Sequence, residues 1–511
     1  AVTTHSGCQV LSRAPAVKPG ILGFDGVVHS ARGAHGKHSK YPKEQKRTHR
    51  FGTAKAMPKD YLWCVISTTI AAIATARGIG ALTVIRLSGP NAMGVAQKCF
   101  VTRSEWTPRR ALLGSFQDRL GRPLDEALAT WFQGPASFTG EDVVEFGLHG
   151  SPYIAAEALD ALLAAGAVLA APGEFTQRAF AHGKLDLAQA EAVGDLIAAE
   201  SRAGHELALK QLKGNVSKRM AELRQQLMDF AALIELELDF VEEDVEFARR
   251  EDLIALLDSV SNECTRMRST FRQGQAMREG IPLVLVGAPN AGKSTLLNRL
   301  LRDDRALVSD IPGTTRDSVE ERFRLGDLLF RLIDTAGIRE TDEVVERMGI
   351  ERSWAKVREA HMVLALVDPL HSNALEAQDL VHRVREANPE SDVVLLLTKR
   401  DTWGERDVSA YPEHLAMSPD PSDLEVLERQ LESRVQIPEG DVLIANARHA
   451  EALGASIDSL QRARESLVLG TSGELVAYDL RDALRHLGSI TGEVTADDLL
   501  GSIFGRFCIG K

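Results

Sequence analysis

The sequence predicts a multidomain α/β protein in which an N-terminal α+β domain is followed by a helical bundle, with a second α/β domain inserted into that bundle. Three observations support this fold class. An apolar run over residues 281–286 leads through a glycine-rich turn into a helical segment, the pattern of a sheet strand and its first helix. Helical periodicity fills residues 185–278 and returns over residues 447–500. Shorter strand-like and helical runs precede these segments, at residues 81–87, 127–132, 142–148 and 153–165.

The first 65 residues differ from the rest of the chain in composition. Up to Met57 there are ten Lys and Arg residues and only two acidic ones, without sustained periodicity. This composition predicts disorder, whereas an organellar transit peptide should also be amphipathic and rich in Ser and Arg. We therefore expect residues 1–65 to be a disordered or artefactual extension, with Met57 as a candidate start.

The most informative motif is Gly-Ala-Pro-Asn-Ala-Gly-Lys-Ser at residues 287–294. Such a turn wraps backbone N–H groups around phosphate oxygens, sets its Lys against the β- and γ-phosphates and leaves its Ser hydroxyl to coordinate Mg²⁺. The motif therefore predicts binding of a nucleoside triphosphate. Its candidate contacts are Asn290, Ala291, Gly292, Lys293, Ser294 and Thr295.

Two further segments fit the γ-phosphate side of such a site. The first supplies a threonine that can close on Mg²⁺, and the second places a carboxylate and a mobile backbone N–H after the strand-like run 329–333. The candidate residues are Ser309, Asp310, Ile311, Pro312, Gly313, Thr314 and Thr315 in the first segment, and Asp334, Thr335, Ala336 and Gly337 in the second.

The choice of base depends on the segment that follows the apolar run 393–397, namely Thr398, Lys399, Arg400 and Asp401. A carboxylate there accepts from both N1–H and the 2-amino group of guanine, which adenine does not offer. Asp401 therefore favours GTP. Threonine stands at position 398 where Asn is usual, and because threonine has no amide we expect retained guanine preference with weaker affinity.

Ile338 directly follows Gly337, where many GTPases carry a Gln that orients the attacking water. An isoleucine side chain cannot form a hydrogen bond, so another group has to position the water. Four acidic residues lie just downstream, and residue chemistry alone does not choose among Glu340, Asp342, Glu343 and Glu346.

Composition limits the remaining possibilities. The 511 residues have room for about three domains, and the formal net charge of −12 argues against a globally basic nucleic-acid binder. The 5 cysteines are scattered without C-x-x-C spacing, so neither a disulfide framework nor a zinc site is expected. No apolar run reaches the roughly 18 residues of a membrane span. We expect a cytoplasmic protein without membrane contact.

Several stretches resemble signature sequences of the MnmE (TrmE) family of tRNA modification GTPases. The resemblance runs from about Thr69 to the last residue and leaves out only the N-terminal extension. These stretches lie outside the nucleotide motifs, so they support the resemblance independently of them. They occupy residues 139–145, 172–180, 183–192, 491–493, 497–501 and 507–511.

The resemblance implies a homodimer that acts on tRNA together with an FAD-containing partner, MnmG, in a heterotetramer. The two proteins would add an aminomethyl or carboxymethylaminomethyl group to C5 of the wobble uridine, with 5-formyltetrahydrofolate as the source of the carbon. Folate contacts are then expected at Arg86, Glu145, Lys184 and Lys511. Cationic side chains suit the folate carboxylates, and Glu145 can accept from pterin N–H groups.

The resemblance also assigns ions and catalytic groups. Mg²⁺ would be held by Ser294 and Thr315, and Glu346 matches the water-orienting glutamate of the family. We expect Cys508 to serve tRNA modification as a thiolate nucleophile and to be dispensable for GTP hydrolysis. K⁺ would be held by Asn290, Ser309, Ile311 and Thr314.

This chain departs from the family pattern at three places. Thr398 replaces Asn, Ser309 replaces a common Thr, and residues 416–419 do not form a clear Ser-Ala-Lys element. The third departure leaves the residues that back the guanine open, although backbone N–H groups can serve whatever the side chains are.

Domain boundaries follow from the same patterns. Two independent helical flanks are the alternative to a single bundle. We expect an extension at 1–65, an N-terminal tetrahydrofolate-binding and dimerisation domain at 66–181, the first part of the helical domain at 182–279, the GTPase domain at 280–438, and the second helical part with the C-terminal Cys motif at 439–511.

Two other functions compete with tRNA modification at this point. A ribosome-assembly GTPase would use its helices as an RNA clamp, but no basic module such as a KH domain with its Gly-x-x-Gly loop is recognisable. A nucleotide-switched scaffold would need no chemistry, and the Cys508 motif beside a full set of phosphate-binding residues argues against it.

Overall fold

The computed structural model describes six stretches of the chain. The N-terminal extension expected at 1–65 lies outside them. None of the helices in the described part of the chain is long and apolar enough to cross a membrane. The described stretches are residues 67–239, 249–302, 321–333, 354–435, 442–494 and 497–510.

The N-terminal part is built on a mixed seven-stranded sheet of order β3-β4-β5-β6-β2-β1-β7. Neighbouring strands are antiparallel except at one edge, where β7 runs parallel to β1. The strands are β1 (Ile70–Ile73), β2 (Leu82–Ser88), β3 (Phe100–Val101), β4 (Ala111–Gln117), β5 (Pro123–Phe132), β6 (Val143–His149) and β7 (Val168–Leu169).

The two faces of this sheet have different chemistry because side chains alternate along each strand. One face is apolar and is covered by α1 (Ala92–Cys99) and α2 (Pro152–Ala164). The opposite face carries the directly paired Arg86 and Glu145 beside Ala72. There α3 (Glu174–Ala181) packs the buried ring of Phe175 against Ile70 and Ala72 of β1, and this face offers a charged pair to a polar ligand.

The inserted domain is built on a six-stranded sheet of order β13-β12-β11-β8-β10-β9. All neighbours are parallel except β9 and β10, which form an antiparallel hairpin at one edge. The strands are β8 (Ile281–Gly287), β9 (Glu321–Leu325), β10 (Leu328–Leu332), β11 (Met362–Val367), β12 (Asp392–Leu397) and β13 (His414–Ala416), and the helices are α9 (Lys293–Arg302), α10 (Ala374–Ala387) and α11 (Pro421–Arg434), with a further helical stretch at 354–359.

Helices on both sides of that domain share one hydrophobic core. Buried side chains from the earlier helices, such as Leu227 and Val260, belong to the same cluster as Leu453 and Leu480 from the later ones. The inserted arrangement is therefore confirmed, and two independent helical flanks are excluded. The helices are α4 (Leu187–Ala198), α5 (Arg202–Leu212), α6 (Asn215–Asp239), α7 (Arg250–Ser269) and α8 (Phe271–Glu279) before the insertion, and α12 (Ala447–Val468), α13 (Gly473–Thr491) and α14 (Asp497–Phe504) after it.

A buried ionic cluster joins the two halves of the helical part. The Arg448 guanidinium donates to both carboxylate oxygens of Glu191, at 2.9 and 2.8 Å, and to the carbonyl oxygen of Ile490 at the end of α13. Burial raises the pKa of Glu191, but the contacts with His449 and Arg448 outweigh it and lower that pKa to about 2. The cluster thus joins α4 to α12 and α13, which follow the inserted domain in the sequence.

Replacing Arg448 by methionine should destabilise the bundle by about 3–5 kcal/mol, because it leaves the Glu191 carboxylate buried without its main partner. The folded-state pKa of Glu191 lies below the unfolded value, so the ion pair stabilises the fold at neutral pH and loses its contribution as pH falls towards about 2. Urea unfolding at pH 7 should therefore show a larger difference between wild type and variant than unfolding at pH 3.

The matched control for that experiment is Arg481→Met. Arg481 pairs with Glu235 in the same bundle, but its side chain is 63% exposed, and such surface pairs contribute less than about 1 kcal/mol. Equal urea midpoints for the two variants at pH 7 would contradict a structural role for the buried cluster.

Candidate nucleotide and cofactor sites

The phosphate-loop motif lies at the carboxyl end of β8, in the middle of the inserted sheet. Gly287 ends the strand so close to the neighbouring strand that a Cβ there would lie 2.3 Å from the Leu366 carbonyl oxygen. Asn290 and Gly292 have φ angles of 61° and 93°, values in the left-handed region that Asn and Gly adopt most easily. These constraints shape a loop that opens at the N-terminus of α9, and a helix N-terminus favours phosphate because its backbone N–H groups and its dipole face the anion.

Lys293 occupies the centre of this loop. Its Nζ donates to the carbonyl oxygens of Gly287, at 2.9 Å, and Ala288, at 2.8 Å. The ammonium group is therefore held over the loop at the place where β- and γ-phosphates bind in such motifs. Ser294 follows it with an exposed side chain on the first turn of α9, which suits a hydroxyl ligand of Mg²⁺.

The segment predicted to select guanine lies beside the phosphate loop. Thr398 is buried, and its backbone N–H donates to the Val367 carbonyl oxygen at 2.9 Å. A Cβ placed on Gly292 would lie 3.7 Å from the Thr398 Cβ, so the two segments are in contact. The Thr398 hydroxyl donates to Val367 rather than to the loop. The threonine thus packs against the loop without the amide contacts of the usual Asn.

Asp368 was not predicted and supports this segment from the end of β11. Its carboxylate accepts from the Lys399 Nζ at 2.8 Å, from the Leu370 N–H at 3.0 Å and from the His371 ring at 2.9 Å. Burial raises the pKa of Asp368, but these hydrogen bonds outweigh it and hold the pKa below its ordinary value. The ionised Asp368 therefore fixes the Lys399 side chain, two residues before Asp401.

The turn after β13, where the residues that back the guanine were left open, lies against the segment predicted to select the base. The Arg400 N–H donates to the Met417 carbonyl oxygen at 2.9 Å, which brings this turn against the guanine-selecting segment. Ser418 does not offer its hydroxyl, because the hydroxyl donates to the buried Asp423 at 2.6 Å. The backbone of this turn therefore lies next to the segment that carries Asp401, while the Ser418 hydroxyl is already hydrogen-bonded to Asp423.

Asp401 itself is exposed on a short 3₁₀ turn, free to meet a base. Asp401→Asn should weaken GTP binding on the order of 10²-fold or more, because two hydrogen bonds to a charged acceptor are lost and each contributes about 1.5–3 kcal/mol. Xanthosine triphosphate, which carries an oxygen where guanine has its amino group, should gain affinity. Asp407→Asn, an exposed carboxylate of the same loop, is the control, and displacement of a fluorescent GDP analogue measures both. Unchanged GTP affinity in Asp401→Asn would contradict base selection by this residue.

Several candidate residues lie outside the described residues. The part of the chain that the structure describes omits both γ-phosphate segments, the glutamate expected to orient water and the last lysine. These candidates remain predictions: Ser309 to Thr315, Asp334 to Gly337, Glu346 and Lys511.

A second candidate site lies on the polar face of the N-terminal sheet. Arg86 donates through Nε and Nη2 to Oε1 of Glu145, at 2.8 and 2.7 Å. Its guanidinium lies 5.6 Å from the ring centroid of Phe138 and 5.7 Å from that of Phe175. The carboxylate keeps its second oxygen for a ligand, and the partly exposed Phe138 ring offers a flat apolar surface beside it. A charged oxygen next to an aromatic ring suits a heteroaromatic ligand with N–H donors.

Lys184 lies near this face through the loop that contains Gly140. Its Nζ donates to the Pro135 carbonyl oxygen at 3.0 Å, and a Cβ on Gly140 would lie 3.4 Å from its Cγ. The side chain is exposed. A contact with one neutral carbonyl leaves the ammonium group able to bind an anionic ligand.

Arg178 is a residue whose role sequence reasoning missed, although it stands in one of the signature stretches. Its fully buried guanidinium contacts the carboxylates of Glu141, at 3.1 Å, and Glu174, at 2.8 Å. It also donates to the Thr68 carbonyl oxygen at 2.6 Å. Arg178 therefore holds α3 against the segments that precede β1 and β6. A lone arginine in a short helical run gives no signal from which this role could be inferred.

The C-terminal segment docks onto the same part of the molecule. Ile509 pairs with Pro172, and a Cβ on the buried Gly510 would lie 2.4 Å from the Ile73 carbonyl oxygen at the end of β1. Cys508 is an exposed free thiol between these contacts. The structure thus brings the Cys508 segment and the strand next to Arg86 together, although they are far apart in the sequence.

A phosphate loop after the first strand of a mostly parallel sheet, with a candidate base-selecting carboxylate at the same edge, is the arrangement of a P-loop GTPase. Residues 69–184 match the family model described as GTP-binding protein TrmE N-terminus, and residues 187–508 match the one described as MnmE helical domain. The chain belongs to the MnmE family of tRNA modification GTPases.

Curated relatives agree with this assignment. The tRNA modification GTPase MnmE of Porphyromonas gingivalis is 42% identical over 465 residues, covering 87% of this chain and 98% of the relative. That of Christiangramia forsetii is 40% identical over 473 residues, covering 87% of this chain and 100% of the relative. Among solved structures, the G domain of the T. maritima FeoB iron transporter covers 30% of this chain and 99% of its own, with 22% identity and a TM-score of 0.22.

Proposed function

We propose that this protein is a K⁺-dependent GTPase that works with an FAD-containing flavoprotein, MnmG, to modify C5 of the wobble uridine of certain tRNAs. A folate-derived carbon enters the product as part of an aminomethyl or carboxymethylaminomethyl group. The observation that carries this proposal is the union of two sites in one chain, because a GTPase domain is built into the same bundle whose last helix delivers Cys508 to the N-terminal sheet.

In the nucleotide site, the loop at residues 287–294 would bind the phosphates and Asp401 would select guanine. Ser294 and Thr315 would hold Mg²⁺, which neutralises charge on the phosphates during transfer. Asn290 fits a cation site because its side chain is exposed on the phosphate loop, at a position where φ is 61°. It would share K⁺ with Ser309, Ile311 and Thr314, while Glu346 would orient the attacking water.

In the N-terminal site, 5-formyltetrahydrofolate would place its pterin against Glu145. The pair with Arg86, whose Nη2 lies 2.7 Å from Oε1, orients that carboxylate. Lys184 and Lys511 would bind the folate carboxylates. The domain boundaries proposed above, at 66–181 for this domain and 280–438 for the GTPase domain, separate the two sites.

The proposal includes a homodimer that forms a heterotetramer with the flavoprotein in the cytoplasm. It is tested by co-purification of the tagged chain with the flavoprotein, which should carry an FAD absorbance spectrum, followed by reconstitution with tRNA, GTP and 5-formyltetrahydrofolate. Formation of a C5-modified uridine supports the proposal. Neither competing function, ribosome assembly or a scaffold without chemistry, is favoured by any contact in the described residues.

The docking of the C-terminal segment leads to a further prediction for the folate site. Gly510→Ala should weaken binding of 5-formyltetrahydrofolate by about tenfold or more, the value of one charge-assisted hydrogen bond from Lys511. The reason is steric, because the added Cβ meets the Ile73 carbonyl oxygen at 2.4 Å and the φ of 96° disfavours any side chain. Deleting Lys511 alone should have the same effect in calorimetry.

The chain offers a matched control for this prediction. Gly501 lies in α14, where an added Cβ would meet nothing within 4 Å. Gly501→Ala should therefore leave folate binding unchanged. Equal dissociation constants for Gly510→Ala, the Lys511 deletion and the wild type would show that the segment takes no part in the site.

A further inference from the structure

The corner between α4 and α5, residues 199–203, contacts the β9–β10 hairpin of the GTPase domain. The Glu200 carboxylate accepts from Nη1 of Arg322, at 3.4 Å to each oxygen, and the Glu200 carbonyl oxygen accepts from Nη2 of Arg324. On the turn of the hairpin, the Asp327 carbonyl oxygen accepts from the Ala203 N–H at 3.1 Å. Strand β9 and the turn of the hairpin are thus bound by Glu200 and Ala203 of one corner.

This corner is rigid. The Ser201 hydroxyl caps α5 by accepting from the Gly204 N–H at 3.1 Å, and Ser201 itself is buried. Ala203 packs against the hydrophobic core of the GTPase domain. A displacement of the hairpin is therefore transmitted to the start of α5 and the end of α4 rather than absorbed at a loose loop.

The hairpin is the covalent connection between the two γ-phosphate segments. Thr315 precedes β9 in the sequence, and only Ile333 separates β10 from Asp334. Ile333 is buried and its N–H donates to the Leu283 carbonyl oxygen at 3.0 Å, which ties this end of the hairpin to the strand that carries the phosphate loop. A nucleotide-dependent change in either segment would therefore act on the hairpin through the chain itself.

The opposite side of α4 holds the C-terminal segment. A Cβ on Gly194 would lie 3.1 Å from the ring of Phe507, and Leu187 and Ala190 share a small core with Phe504. The helix has 12 residues and a capping box at its start, so a stiff element of about 18 Å separates its two ends. One helix thus contacts the Cys508 segment along its side and leads into the Glu200 corner at its end.

We propose that Glu200 is a positioning residue that couples the nucleotide state of the GTPase domain, through the β9–β10 hairpin and α4, to the placement of the Cys508 segment. This inference rests on the proposed function and adds the route within the chain by which one site influences the other. Coupling arises because the hairpin binds the corner through complementary charge, with two arginines on the hairpin and the carboxylate and carbonyl of Glu200 on the bundle.

The reactivity of the Cys508 thiol provides a direct test in the isolated protein. Cys8 and Cys64 are replaced by serine, and the remaining Cys99 and Cys264 are buried. The rate of labelling by a chromogenic aromatic disulfide is then measured with GDP and with a non-hydrolysable GTP analogue. We expect the two rates to differ by about fivefold or more, the usual range of coupling between two sites.

Glu200→Gln should remove that difference, because the neutral amide can no longer form an ion pair with Arg322. The matched control is Glu222→Gln, since Glu222 also pairs with an arginine, but with Arg219 of its own helix, at 2.7 Å. Exchanging the charges in Glu200→Arg with Arg322→Glu should restore the difference. Basal GTP hydrolysis should stay unchanged in Glu200→Gln, which separates coupling from catalysis.

The outcomes are distinct. Rates that do not depend on the nucleotide in the wild type, or a dependence that survives in Glu200→Gln, would overturn the coupling. Nucleotide binding is measured in the same samples with a fluorescent GTP analogue. Loss of that binding in the wild type would instead contradict the proposed function, so the two failures cannot be confused.

Discussion

GTP hydrolysis is expected to be about 10²-fold or more faster in KCl than in NaCl of equal ionic strength. Charge builds up between the β- and γ-phosphates during transfer, and an arginine finger that neutralises it elsewhere contributes about 10³–10⁵ in rate. No arginine finger is evident in the sequence, and Ile338 stands where a water-orienting Gln is common. A K⁺ ion would supply the missing charge, and Na⁺ is too small for a cage of backbone carbonyls sized for K⁺.

Variants of Asn290 test whether this residue holds the ion. They have to allow for its φ of 61°, a left-handed value. Asn290→Ala would lose both the side-chain oxygen and the ease of adopting this backbone conformation. Asn290→Gly keeps the backbone freedom and removes only the oxygen, so it should bind GTP and lose the preference for KCl. Glu346→Ala should slow hydrolysis in both salts. Equal wild-type rates in the two salts would show that the K⁺ mechanism does not apply to this chain.

Cys508→Ser is expected to abolish the modified uridine in reconstituted reactions while GTP turnover stays at the wild-type rate. The thiol is exposed, and its neighbours dock the segment onto the N-terminal sheet, where the Gly173 N–H points to the Cys508 carbonyl oxygen at 3.5 Å. It is therefore neither packed into a core nor part of a loose end. A serine keeps the size and removes the nucleophilic thiolate.

Ser502→Ala controls for disturbance of the C-terminal segment, since Ser502 is exposed on α14 just before it. This variant should retain both activities. Liquid chromatography of the tRNA nucleosides measures modification, and phosphate release measures turnover. A normal amount of modified uridine in Cys508→Ser would contradict a chemical role for the thiol.

Local patterns sufficed for much of the fold. The strand at β8, the phosphate loop and the strand at β12 were predicted because a buried parallel strand is a continuous apolar run and its exit motif is short. The inserted arrangement followed from periodicity on both sides, and the shared core of Leu227 and Leu480 confirms it. Each of these features is encoded within a few neighbouring residues.

Long-range pairing was not predictable in the same way. The contacts of Arg178 with Thr68, of Glu191 with Arg448 and of Glu200 with Arg322 join residues far apart in the chain. Charged residues are mostly solvated on surfaces, so local sequence does not identify a distant partner for any of them. The resemblance pointed to the stretches that contain Arg178 and Glu191, and only the fold shows which carboxylate or guanidinium each one meets.

The most direct test of the account is analysis of the wobble uridine in tRNA from a strain that lacks this protein. Nucleosides from the deletion strain, from the same strain carrying the wild-type gene and from one carrying Lys293→Ala are compared by mass spectrometry. We predict that the C5-modified uridine is absent after deletion, returns with the wild type and does not return with Lys293→Ala, because the phosphate-binding ammonium group is lost. Unchanged C5 modification in the deletion strain would contradict the central claim that this GTPase modifies tRNA.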